Sequence, residues 1–240
     1  MRGFVHRYPQ PMISPAAASP ARTDRWARAW HAAIAVIAVA ALLMQVWIAV
    51  RVSGSPASHA VGRLRGTALG WRIGRVFSFF TIQSNCLSAA LSLSLARKPA
   101  RDGAGWRVAR LDALLGITVT GVVYSTVIAK YDQLSGWQQH SVNACVHYIV
   151  PVAMVLGWLL FGPRPRIDGP TIGRALLWPA GYLTYILIQG RFSQWYPYPF
   201  LDVAGHGYLR VLVNAVAVLA VLAAVSGLYF LGDRRLRRAP

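Results

Sequence analysis

Thr81, Ser84, Asn85, Ser88 and Ser92 repeat at spacings of three and four within a stretch otherwise apolar enough for a membrane interior. His147 adds an imidazole in another such stretch. Hydrocarbon offers these groups no hydrogen bonds, so they must face protein or a wet cavity. Clusters of hydroxyl, amide and imidazole groups inside apolar segments mark the places where membrane proteins bind, transport or react, so these residues outline an intramembrane polar pocket. Plainer uses stay open. Ser88 and Ser92 are equally placed to bond their own i−4 carbonyls, Asn85 to join two helices, and His147 to make a structural hydrogen bond.

Six apolar blocks carry and surround these residues: 30–50, 76–95, 111–129, 142–161, 172–189 and 211–231. Each holds roughly 18–21 residues, close to the ~20 that cross a hydrocarbon core. With 55% hydrophobic and 13% charged residues among 240, the composition excludes an ordinary soluble domain. The expected fold is all-α, an integral membrane bundle of six transmembrane helices over 30–231. Segment 1–29, rich in Pro, Ala and Arg, reads as a disordered basic tail, and 232–240 as a second basic tail. The first block is longer than a signal-peptide core and starts far from Met1, so it reads as a retained span. Pro179 is expected to kink the fifth block.

The net charge of +18 follows the blocks. Seventeen of the 25 Lys and Arg residues flank the ends that place both termini together; the five arginines at 51–75 are the exception. The positive-inside rule therefore sets both termini in the cytoplasm of a cell with a multi-pass plasma or inner membrane protein. Basic residues facing anionic lipid call for no nucleic-acid partner. The expected partners are membrane lipids, a lipid-like substrate among them; nothing points to a protein partner. Cys86 and Cys145 lack metal or redox spacing and read as small buried hydrophobes. No metal and no cofactor is expected, and haem held by His31 and His147 is disfavoured because those residues belong near opposite faces. All seven acidic residues are aspartates, which leaves little material for paired-carboxylate or proton-coupled transport mechanisms.

Thr81 and His147 each lie about five residues into blocks that run the same way, roughly 7–8 Å below one surface. Their shared depth permits contact. His140, Asn143, His147 and Pro151 give the fourth block one polar face, and Thr120 and Tyr124 lie i,i+4 on the third. The aromatic segment 195–202, with Tyr198 and Asp202, is expected at the same surface, either as a pocket wall or as an aromatic belt. No carboxylate lies inside a span beside His147, so Asp202 or Asn143 would have to orient it.

Four motifs resemble a known group: F-F-T-I-Q-S-N at 79–85, T-G-V-V-Y at 120–124, H-Y-I-V-P at 147–151 and Y-P-Y-P-F-L-D at 196–202. Their order across blocks two to six is similar to that in the androgen-induced and androgen-dependent membrane proteins, above all their bacterial six-span branch. The animal members are intramembrane threonine hydrolases that cleave lipid esters of one fatty acid with a hydroxyl of another. What the resemblance implies here is a threonine nucleophile at Thr81 and a histidine base at His147. Gln83, Asn85, Tyr124, Asn143, Tyr198 and Asp202 are the surrounding candidates for substrate or oxyanion binding. The alternative is a non-catalytic lipid or small-solute binding or transport protein that uses the same polar pocket.

Overall fold

The computed structural model describes residues 20–51, 68–164 and 166–236, and every regular element among them is helical. The alanine-rich helix α1 (Pro20–Arg51) begins inside the segment expected to be a disordered tail. Alanines and arginines between 21 and 29 have high helix propensity, and Pro20 stands where its missing N–H costs nothing. Arg28 also donates to the Arg97 carbonyl at 2.7 Å, tying this end to the neighbouring helix. The rest of that tail, 1–19, and residues 237–240 of the second one lie outside the described residues, as do the loop arginines Arg63 and Arg65.

The second apolar block is broken. Helix α2 (Leu69–Phe77) meets α3 (Phe80–Arg97) at 71°. At the stop the Ser78 hydroxyl bonds the Gly74 carbonyl at 2.9 Å, and Phe79 is extended. Helix α4 (Ala104–Val123) passes into a π-helical turn (Tyr124–Ile128) and a 3-10 turn (Ala129–Tyr131). Helix α5 (Gly136–Ala144) likewise joins α6 (Val150–Phe161) through a π-helical turn (Cys145–Ile149). Pro151 explains the second widening, because it has no N–H for the His147 carbonyl four residues back and its ring would strike that carbonyl.

The fifth block divides into α7 (Gly169–Ala175) and α8 (Leu177–Ser193). The break at Leu176 falls three residues ahead of Pro179, within the turn whose bonding that proline removes. A 3-10 turn (Pro199–Leu201) leads into α9 (Val203–Arg235), which Asp202 caps and Gly207 interrupts at φ 75°. Among the described residues four helical stretches are long and apolar enough to cross a membrane: 24–51, 104–131, 136–161 and 203–235. The α2–α3 pair makes a fifth if it counts as one bent span. The α7–α8 stretch does not meet that measure, so four or five helices, rather than six, qualify by length and composition.

The main core is built from α1, α3, α4, α6 and α9, around residues such as Ile34, Leu111, Leu115, Val150 and Leu222. A second, aromatic cluster of Tyr124, Tyr182, Tyr196 and Tyr198 occupies the end of the bundle where α3 begins. Large apolar side chains on α1 and α9, including Val36, Leu43, Leu212 and Leu228, remain exposed, as a lipid-facing surface requires.

Candidate active site

The break before Phe80 makes Thr81 the second residue of α3, where a backbone N–H has no carbonyl one turn back to receive it. Tyr198 fills that vacancy, accepting the Thr81 N–H at 3.3 Å, and its hydroxyl lies 3.5 Å from Thr81 Oγ1. Thr81 Oγ1 is also 3.4 Å from His147 Nε2. The two residues thus meet, although neither sits as its block edge implied. Thr81 is in a first helical turn and His147 is eleven residues beyond Gly136, in a π turn.

His147 is fixed on three sides. Its Nδ1 lies 2.7 Å from Asn143 Oδ1; an amide oxygen only accepts, so Nδ1 carries the proton and Nε2 presents a lone pair to Thr81. Its ring stacks on Tyr124 at 3.7 Å between centroids and 10° between planes. Behind it, a Cβ on Gly121 would lie 3.3 Å from the His147 carbonyl and 3.1 Å from Pro151 Cβ, so glycine permits α4 to approach the π turn closely. The hydroxyl of Tyr124 donates to Asp132 at 2.7 Å, which makes this ring a platform for the imidazole rather than an oxyanion donor.

The remaining candidates separate. Asn85 spends both amide hydrogens on carbonyls, Thr81 O at 2.9 Å and Val146 O at 3.2 Å, and so clamps the Thr81 turn to the His147 turn. Gln83 donates to the Phe77 carbonyl at 3.0 Å and does not line the cleft beside Thr81. Asp202 caps α9 through the Ala204 N–H at 3.0 Å; Asn143, and not Asp202, holds the imidazole. Tyr198 alone of the expected donors has a hydroxyl at Thr81. Ser88 and Ser84 are buried, and their Oγ atoms have no hydrogen-bond partner among the described residues, while Ser92 donates to the Met154 sulfur at 3.3 Å. His140 is exposed and the two cysteines are half-buried free thiols.

A cleft of about 690 Å³, counting its open mouth, leads to Thr81. Its walls are nearly all apolar, from Val119 and Val123 on α4, Leu183 on α8 and Val218, Leu219 and Leu222 on α9; Thr81 and Tyr198 supply its polar corner. Tyr198 is held there by the segment after α8, where Tyr196 lies so close to Gly190 that a Cβ would fall 2.0 Å from its ring. Tyr182 props the other side by donating to the Ser78 carbonyl at 3.0 Å, and Ser78 in turn bonds Tyr185 at 2.8 Å.

Sequence reading missed three supports: the Asp132–Tyr124 bond, the two π turns and the fit of Tyr196 on Gly190. Only the second had a visible signal, the proline four residues after the histidine. At helix N-terminal positions such as Thr81, the backbone dipole favours negative charge, which is the charge a reacting hydroxyl acquires. Among the described residues no group of His, Cys, Asp or Glu gathers to hold a metal ion. The chain matches no protein-family model, no curated protein and no solved structure.

Proposed function

We propose that this chain is a six-span protein of the cell membrane, with both termini cytoplasmic, that hydrolyses lipid esters by means of a threonine nucleophile. The observation that carries the reading is the line Asn143–His147–Thr81, whose Thr81 end reaches the polar corner of an apolar cleft and whose Asn143 oxygen favours the proton on Nδ1. His147 takes the Thr81 proton as Oγ1 attacks the ester carbonyl, and the oxyanion formed accepts from the Tyr198 hydroxyl. Collapse expels the alcohol, which leaves with the proton from His147. Water then attacks the acyl-threonine, again losing its proton to His147. The second collapse frees the acid and returns the proton to Thr81. The apolar walls suit an acyl chain, and an opening toward lipid would admit it sideways.

A second reading keeps the cleft and drops the chemistry. The dominance of apolar lining favours a lipid-binding or transport role in which Thr81 and Tyr198 bond a headgroup without cleaving it. Turnover of a panel of lipid esters by the purified protein separates the two. Hydrolysis that disappears in Thr81→Ala and persists partly in Thr81→Ser supports the enzyme; retained turnover in Thr81→Ala overturns it.

A further inference from the structure

The cleft that reaches Thr81 has a side that protein does not close. Its walls come mostly from α4, α8, α9 and the segment 198–201. Helix α9 is tied above and below this wall. Asn214 donates to the Phe200 carbonyl at 2.8 Å, and about 22 Å further along the helix Tyr229 bonds Thr118 and meets the Trp158 ring edge-on. Between these ties Ala215, Val218, Leu219 and Leu222 line the cleft, and among the described residues no hydrogen bond or ring contact joins α9 to α8.

Leu219 marks the gap. It lines the cleft and yet is 40% exposed, while Ala215 and Leu222, one turn to either side, are buried. Leu183 on the α8 wall is half-buried. Two turns before Leu219, at nearly the same angle around α9, Leu212 is exposed and takes no part in the cleft. The mouth at Leu219 therefore opens onto the same apolar surface that Leu212 and Val216 present. It lies at the midpoint of α9 (Val203–Arg235), a helix long enough to cross a membrane. At that depth a bilayer offers hydrocarbon tails, and neither water nor headgroups.

We infer that the gap between α8 and α9 is the door by which a membrane lipid enters, with Leu183 and Leu219 as its edges. One acyl chain lies along the cleft, its polar end at Thr81 and Tyr198 and its tail passing out between the two leucines into the bilayer. The room inside is several waters' worth, enough for a run of methylene groups. Moving a tail from lipid to apolar walls gains little, since both surroundings are equally apolar. Retention therefore falls to the polar end, where the hydroxyls of Thr81 and Tyr198 stand. The inference rests on the cleft being a lipid site, whether or not Thr81 cleaves what enters.

The test is photolabelling of the full-length protein in phosphatidylcholine vesicles, with palmitic acid that carries a diazirine near its carboxyl end. Label on Thr81 or Tyr198, read by mass spectrometry shortly after mixing, reports arrival of the polar end at that corner. Leu219→Trp fills the mouth and should lower the label about tenfold, the cost of overfilling a packed space. Leu212→Trp adds the same bulk on the lipid side and should leave the label unchanged. Leu219→Ala, which keeps the test alive if the larger residue does not fold, should raise the early label several-fold. Undiminished label in a folded Leu219→Trp, no gain in Leu219→Ala, or no label at the corner in the wild type would overturn the inference. Label that follows the expected pattern in a protein inert toward esters would remove the hydrolase and leave the door in place.

Discussion

At the Thr81 end of the bundle the groups that meet at Thr81 are neutral, with Asp132 set back behind Tyr124, and they gather at the break between α2 and α3 and at the π turn between α5 and α6. The Asp233 end is built from charges instead, and those charges hold backbone: Arg110 takes carbonyls from the loop after α6, and Asp233 takes N–H groups from the same loop. The contrast separates two ways of keeping polarity inside an apolar fold. Charged groups there lock chain segments together, since leaving one unpaired is costly. Neutral groups in irregular backbone leave His147 Nε2 facing the hydroxyl of Thr81, which lines the cleft.

If that division is right, variants at the two ends fail differently. Asn143→Leu removes the group that fixes the His147 tautomer and should lower kcat by about 10²-fold or more, in line with the worth of positioned acid–base catalysis, with little change in melting. Tyr198→Phe removes the oxyanion donor and should cost about 10²-fold in kcat while KM stays near the wild-type value. A fall in KM-derived affinity with kcat intact would instead place Tyr198 in binding. At the other end, Asp233→Ala strands two buried N–H groups and should lower stability in detergent by about 2 kcal/mol, read as a drop in Tm. The smallest effect belongs to Thr118→Val, which removes the 2.8 Å bond to Tyr229 between α4 and α9 and should cost about 1 kcal/mol.

Much of the helical layout was legible because apolar blocks of span length leave few alternatives. Blocks one, three, four and six correspond to α1, α4, α5–α6 and α9, each longer than its block. The interruptions were less visible. Pro179 announces the break between α7 and α8, but nothing in the composition of 76–95 distinguishes a straight span from one that stops at Ser78 and restarts at Phe80. That break displaces Thr81 from mid-turn to a helix start and so gives it Tyr198 as a partner. Tyr124 shows the limit from the other direction. Its type suggests a donor, whereas the structure stacks it on His147 and bonds it to Asp132, and of the two π turns only the one before Pro151 leaves a mark in the sequence. Asn85 and Gln83 carry amides suited to an oxyanion, and helical backbone carbonyls take the hydrogens of both.

The central claim is that the proton of Thr81 passes to His147 so that its oxygen can open an ester. Incubating the detergent-purified protein with a panel of lipid esters, and following free acid released by wild type, Thr81→Ala and His147→Ala, tests it most directly. The account predicts turnover by the wild type and its loss in both variants at unchanged melting temperature. Turnover that survives in Thr81→Ala, or a wild type inert toward every ester while still binding them, would contradict it.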